Sequence, residues 1–314
     1  MSFGILSSGP QATLQAAPRR RCRHLGVPAS GPMDALSSAL ANRLVGNSHD
    51  ATAIEITLGG FEAQCRAPMV VACTGADTAL EIDGRSAELH TAIGIEAGET
   101  ISVGYPRYGC RSYLAVAGGF DATVWLGSGS TYLPGGVGGF DGRDLKTGDV
   151  LELQSPSRPL PSDQTQTPVD CRPTMSESWA IRACPGVDSN DRVENAFFGS
   201  VFRLSNRTSR MGGALDGPLI PDVPQMTLPS AAVFPGTVQC PPDGRPFLLM
   251  ADAQTTGGYP QIAQVIRADR HIMGQIRPGD RVRFLRSDPD AAADILRAKS
   301  ALFENWLEGP FELV

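Results

Sequence analysis

Residues 277–284 read Arg277-Pro278-Gly279-Asp280-Arg281-Val282-Arg283-Phe284, a tight turn followed by apolar residues at every second position. The same arrangement stands at Glu96-Ala97-Gly98-Glu99-Thr100-Ile101-Ser102-Val103 and at Lys146-Thr147-Gly148-Asp149-Val150-Leu151-Glu152-Leu153. In each, a glycine supplies the backbone freedom a turn needs, an acid follows it, and the period of two marks a strand with one wet face. Ala79 to Ile82, Asp83-Gly84 and Arg85 to Leu89 add a hairpin, because Asp-Gly accepts the positive φ of a type I′ turn. These units lie in both halves of the chain. They predict a mainly β protein with two related β-barrel-type domains.

Outward from the strands, one helix is legible. Pro32 follows Ser30-Gly31 where a first helical residue favours proline, and Met33, Leu36, Leu40 and Leu44 form one apolar stripe. Gly46-Asn47 stops it, which predicts a helix over 33–45 packed on a sheet. Residues 154–178, QSPSRPLPSDQTQTPVDCRPTMSES, are rich in Pro, Ser and Thr and read as a joint. Asp290 to Leu307 sets Ile295, Leu296, Leu302, Phe303 and Trp306 on an alanine-rich helical pattern suited to covering a sheet edge or a partner. The organisation expected is an N-terminal β-rich domain over 1–155, a linker over 156–178, a C-terminal barrel over 179–287 and a helical tail over 288–314.

At 314 residues the chain exceeds one ordinary hydrophobic core. Its 41% hydrophobic and 19% charged residues are those of a globular protein, and its 35 glycines and 25 prolines are spread as short strands and many turns require. A net charge of −6 argues against nucleic acid as a partner. The one basic run, Arg19-Arg20-Arg21-Cys22-Arg23-His24, reads as a solvated turn in preference to an anion site. The first residues lack the long apolar stretch of a signal peptide, and runs such as Phe247 to Ala251 are too short to span a bilayer, so a cytoplasmic protein is expected. Seven unevenly spaced cysteines and four isolated histidines fit neither a disulfide framework nor a dedicated metal site.

Three segments are too polar and too glycine-rich for packing alone. The first runs from Gly118-Gly119-Phe120 through Leu126-Gly127-Ser128-Gly129-Ser130-Thr131-Tyr132 to Gly138-Gly139-Phe140-Asp141-Gly142-Arg143. There the hydroxyls of Ser130 and Thr131 suit an oxyanion or phosphate, although a glycine-rich barrel turn is the plainer reading. No Walker A loop closes it. The second, Ala251-Asp252-Ala253-Gln254-Thr255-Thr256-Gly257-Gly258-Tyr259-Pro260, leaves an apolar strand with an acid, an amide, two hydroxyls and a glycine pair, a natural pocket wall. The third is Arg210-Met211-Gly212, whose arginine suits a bidentate carboxylate clamp or simply a surface.

Taken together, the segments resemble the allophanate hydrolase subunit 2 family, KipA-like proteins. Leu25 to Asp34, Asn42-Arg43-Leu44-Val45-Gly46-Asn47 and Glu55-Ile56-Thr57-Leu58-Gly59-Gly60 look like its opening signature. Thr74-Gly75-Ala76-Asp77, Leu126-Gly127-Ser128, Gly139-Phe140, Pro241-Pro242-Asp243-Gly244 and Asp252 to Pro260 continue it in order. The resemblance implies cyclophilin-like barrels and a KipI-like subunit 1 partner, joined in some complexes by a LamB/YcsF-like amidohydrolase. It implies three roles: a subunit of ATP-dependent 5-oxoprolinase, half of a carboxyltransferase fed by carboxyl-biotin, or a noncatalytic protein that binds a KipI-like regulator. ATP would act in the complex, and biotin would have to be carried by another protein. Carried onto this chain, the resemblance makes Asp252, Gln254, Thr255 and Thr256 catalytic candidates. Arg210, Tyr259, Gly257, Gly258, Ser130, Thr131, Ser30 and Asp34 become candidates for binding a small amide substrate.

This chain also departs from the family's pattern. Gln15-Ala16-Ala17-Pro18-Arg19 stands for Gln-Asp-x-Gly-Arg, and Thr208-Ser209-Arg210-Met211-Gly212 stands for Ser-Asp-Arg-Met-Gly. Ser230-Ala231-Ala232 stands for Ser-Glu-Gly, and Gly127-Ser128-Gly129-Ser130-Thr131 for Gly-Ser-Arg-Ser-Thr. Three acids and one arginine are replaced, which implies an altered substrate or weakened catalysis.

Overall fold

The computed structural model describes residues 1–155, 166–223 and 228–307, so parts of the expected linker and tail, 156–165 and 308–314, lie outside the described residues. The chain divides into two compact units. The first takes Met1–Arg19, Ser30–Met175 and the last described residues from Phe303; the second takes Arg20–Ala29 and Ser176–Leu302.

Among the described residues the first unit holds eleven strands. They are β1 Ser2–Ser8, β2 Gln11–Gln15, β3 Ala53–Thr57, β4 Phe61–Cys65, β5 Met69–Asp77, β6 Leu80–Ile82, β7 Arg85–Ala87, β8 Ala92–Ile95, β9 Thr100–Val103, β10 Tyr108–Val116 and β11 Val150–Glu152. One sheet runs β11-β1-β4-β9-β6-β7 and the other β2-β3-β10-β5-β8. Phe3, Phe61 and Ile101 of the first sheet meet Leu14, Ile54, Ile56, Val71 and Leu114 of the second in one core. The other side of the second sheet carries Ala72, Tyr113 and Ala115 against Ala41 and Leu44 of helix α1, Ala35–Leu44. Strand β10 is therefore buried on both faces, which its run of apolar residues with no wet alternation reflects. The expected hairpin is present: Asp83 and Gly84 both have positive φ (49° and 72°) between β6 and β7.

The second unit contains β12 Ser178–Pro185, β13 Val201–Ser209, β14 Gly212–Asp216, β15 Ala231–Ala232, β16 Thr237–Gln239, β17 Phe247–Leu249, β18 Thr256–Gly257, β19 Gln261–Val265 and β20 Arg281–Arg286. Seven of these close a barrel in the order β12-β19-β16-β17-β14-β13-β20, the closing pair β12 and β20 running parallel. Helix α2, Asp191–Phe198, sets Phe197 against Phe202 and Phe284 with ring centroids 5.5 and 4.7 Å away. Asn190 caps that helix through the amides of Arg192 and Val193. A nine-residue 3₁₀ helix, Arg267–Gln275, leads into β20, and a further helix, α3, runs over Pro289–Leu307. The β15–β18 ribbon stands apart from the barrel ladder and carries two of the candidate residues, Thr256 and Gly257. The mainly β architecture is as expected, with its closed barrel in the second unit. None of the seven cysteines forms a disulfide among the described residues, and burial pushes the thiols of Cys73 and Cys240 up to about 12.

Candidate functional site

Strand β17 runs Phe247-Leu248-Leu249 into the barrel wall, and the chain then turns at Met250 with its amide on the Met211 carbonyl. That turn brings residue 252 beside residue 210. Asp252 donates its own amide to the Arg210 carbonyl at 2.9 Å. Its carboxylate accepts from Arg210 Nε at 2.8 Å and from Nη2 at 3.2 Å. Asp252 is 0% and Arg210 4% exposed, so this is a buried, two-pronged ion pair. The Arg210 fork expected to clamp a substrate carboxylate is thus engaged by a carboxylate of the chain itself.

Beyond the pair the chain comes to the surface. Thr255 is buried and its carbonyl accepts from Val233 N, while Gln254 and Thr256 are exposed and Tyr259 is 47% exposed. Ala231 and Ala232 of β15 lie opposite Gly257 and Thr256 of β18, so the polar segment is held as a strand. Beneath it sits Gln239, 3% exposed, which no sequence signal singled out. Gln239 accepts from Gln254 Nε2 at 3.3 Å and donates to the Tyr259 carbonyl at 3.2 Å. A side chain at Gly257 would put its Cβ 2.5 Å from Gln239 Nε2, so glycine there lets the ribbon close on the glutamine. The result is a polar edge on which Gln254, Thr256 and Tyr259 are exposed, with the Gln254 amide tied inward to buried Gln239 and with Asp252, of the buried Arg210–Asp252 pair, two residues before it in the chain.

The remaining candidates lie in the first unit. Asp34 caps α1, accepting from the Ser37 amide at 2.9 Å and the Ser37 hydroxyl at 2.6 Å. The Asp34 amide donates to Tyr113 Oη at 2.7 Å, Tyr113 in turn donates to Glu55 at 2.8 Å, and the Met33 amide reaches the same carboxylate at 2.7 Å. Burial and then the Glu55 charge hold the Tyr113 phenol well above its ordinary value. Ser30 sits at a φ of 56°, and its buried hydroxyl has no partner among the described residues. The Ser130 hydroxyl donates to the Ala16 carbonyl at 2.8 Å, and that of Thr131 to the Leu14 carbonyl at 2.9 Å. Both are 0% exposed, tying their loop to β2, so neither presents a hydroxyl at the surface. Sequence reasoning selected them as polar residues in a glycine-rich loop, a signal shared by ligand loops and by buried turns. A cavity of about 380 Å³ in this unit, lined by residues including Ser7, Glu62, Glu81 and Tyr105, holds none of the candidates.

Two of the departures from the family pattern lie side by side. A Cβ at Gly129 would stand 3.6 Å from that of Ala16, so the replaced arginine and one replaced acid are neighbours. Ala231 lies directly across from Gly257. Among the described residues, no group of three or more His, Cys, Asp or Glu could hold a metal ion, and no helix is long and apolar enough to cross a membrane.

The fold agrees with what known proteins show. A family model described as carboxyltransferase domain, subdomain A and B, matches residues 25–286. The chain belongs to that family. It is 35% identical over 305 residues to the C subunit of 5-oxoprolinase from Escherichia coli (strain K12), covering 96% of both proteins. It is 32% identical to the urea amidolyase of Lachancea kluyveri, covering 99% of this chain and 18% of that protein. The crystal structure of the K. lactis urea amidolyase matches with a TM-score of 0.91 at 30% identity, over 97% of this chain and 20% of that one. The chain therefore spans nearly all of the bacterial protein and about a fifth of the two urea amidolyases.

Proposed function

We propose that this chain is a cytoplasmic subunit of an ATP-dependent complex that opens a cyclic amide, with 5-oxoproline as substrate and a KipI-like subunit 1 as partner. The observation that carries the reading is the end-to-end match to the C subunit of a 5-oxoprolinase. A LamB/YcsF-like amidohydrolase would complete the assembly. Opening a lactam requires its C=O and N–H to be oriented and the developing oxyanion to be held. The Gln254–Tyr259 edge suits the first task, since a carboxamide pairs with an amide edge and Thr256 and Tyr259 add hydroxyls beside it. Gly257 and Gly258 let a ligand approach the backbone. Asp252 and Arg210, bonded to each other below this edge, act as positioning residues. Thr255 holds the ribbon through Val233.

Carboxyl transfer is the second reading, favoured by the family model and by the urea amidolyase likeness. The ureido ring of carboxyl-biotin presents the same amide edge as a lactam, and the chain has no Met-Lys-Met attachment site, so another protein would bring the biotin. Co-purification of tagged chain separates the two. Subunit 1 with the amidohydrolase supports amide opening, whereas a biotinylated protein supports carboxyl transfer. Subunit 1 alone, with no ligand-dependent thermal shift, would overturn both in favour of the regulatory role.

A further inference from the structure

We propose that Arg270, with Arg23 and Arg267, forms a binding site for a small oxyanion, carboxylate or phosphoryl, in the second unit beside the Gln254–Tyr259 edge. This deepens the reading above by naming the charged group the substrate or co-substrate would bring, and rests on that reading for the identity of the ligand only.

The basic run at 19–24 is in part a solvated turn, with Arg20 and Arg21 exposed. Arg23 is different. Its Nη2 donates to the Val233 carbonyl, and its guanidinium lies 4.7 Å over the Phe234 ring. Val233 is the residue whose amide donates to Thr255 O at 3.1 Å, so Arg23 is fixed one residue from the ribbon. Arg267 and Arg270 come from the 3₁₀ helix Arg267–Gln275. Three residues per turn place positions 267 and 270 on one face, and runs of nine in this conformation are uncommon.

Among the described residues, Arg270 has no partner that explains its position. Its Nε is buried without a hydrogen bond, and no ion pair holds it among the described residues. The carboxylate on its own helix, Asp269, is turned to Arg182, accepting from Nε at 2.8 Å and from Nη2 at 2.6 Å. Burial and then the charges of Arg267 and Arg23 push the Arg270 guanidinium down to about 10. Positive charge is thus gathered and partly dehydrated on a chain whose net charge is −6. An arginine fork left open in such a place matches the two oxygens of a carboxylate or phosphoryl group. All three side chains keep some exposure, so an ion can reach them.

The test is titration calorimetry of the full-length chain at fixed ionic strength with three probes: inorganic phosphate, L-5-oxoproline and 2-pyrrolidinone, the same ring without a carboxylate. Saturable binding of phosphate, oxoproline or both, weakened about tenfold or more in Arg270→Gln, is expected. Phosphate alone assigns a phosphoryl ligand, and oxoproline without pyrrolidinone assigns a carboxylate. Unfolding without ligand gives a second readout. A buried guanidinium lacking a partner predicts that Arg270→Gln melts no lower than the parent, whereas a structural arginine would lower the melt. If Arg270→Gln fails to fold, Arg270→Lys, which keeps the charge but not the fork, replaces it in the titration. Binding no stronger than chloride's, or binding equal in parent and variant, overturns the site. Failure of the complex to turn over oxoproline while phosphate still binds would leave the site standing and remove only the substrate.

Discussion

Arg210 and Asp252 stand 42 residues apart in sequence and grip each other through two hydrogen bonds, with Asp252 wholly buried. The pair joins the turn after β13 to the exit of β17, and the exposed polar edge is built directly on that junction. Asp252→Ala leaves a buried guanidinium without its carboxylate and is expected to cost about 3–5 kcal/mol. Replacing both partners with apolar residues should cost less than the two single changes together. Denaturant midpoints measure this, and a loss below about 1 kcal/mol for Asp252→Ala would show that the pair does not hold the junction.

Gln239 and Gln254 touch, yet they are expected to fail differently. Gln239→Ala removes a buried partner from Gln254 and from the Tyr259 carbonyl, which should lower stability by about 1–3 kcal/mol. Gln254→Ala, at the surface, should shift stability by no more than about 0.5 kcal/mol while reducing turnover of the assembled complex. Equal effects of both variants on stability and on turnover would contradict the division between base and edge.

Gly257 tests the same contact from the other side. Gly257→Ala would drive a Cβ to within 2.5 Å of Gln239 Nε2 and displace it. Turnover is expected to drop, and Gln239→Ser should restore part of it by making room. A variant pair with no such rescue would mean that glycine is needed there for another reason.

Two histidines give a pH signature. Burial, then the Lys299 charge, pushes His271 down to about 3, and Lys299 Nζ donates to its Nε2 across 3.2 Å, which requires that nitrogen to be neutral. Burial, then Arg172, pushes His90 down to about 4. Unfolded histidine takes its proton near 6.5, so below that pH the unfolded chain binds more protons than the folded one. Stability is therefore full above about 6.5 and falls as pH drops toward the folded values, by about 1.4 kcal/mol per pH unit for each histidine. Urea unfolding between pH 7 and 5 should show this slope, and His271→Gln should flatten it. A slope unchanged in that variant would contradict the assignment.

Local patterns carried much of the fold. Gly98, Gly148 and Gly279 all have φ near 90°, and strands β9, β11 and β20 follow them as the repeated turn motif requires. The Met33-to-Leu44 stripe became α1, and the segment from Asp252 to Pro260 contains the exposed edge. What stayed illegible depends on long-range pairing. Gln239 is one polar residue in a short strand until β18 folds over it. Arg23 reaches a carbonyl 210 residues away, so nothing local distinguishes it from Arg20 or Arg21. Ser130 and Thr131 looked available because a sequence does not reveal that Ala16 and Leu14 present carbonyls to them. The two-sided burial of Asp34 is likewise set by Tyr113 and Ser37.

The most direct measurement is ATP hydrolysis by the complex reconstituted from this chain, a subunit 1 protein and the amidohydrolase, with and without 5-oxoproline. The account predicts oxoproline-dependent turnover that vanishes without this chain and falls about tenfold or more when Gln254 and Thr256 are both replaced by alanine. Full turnover without the chain, or no oxoproline dependence in the complete complex, would contradict it.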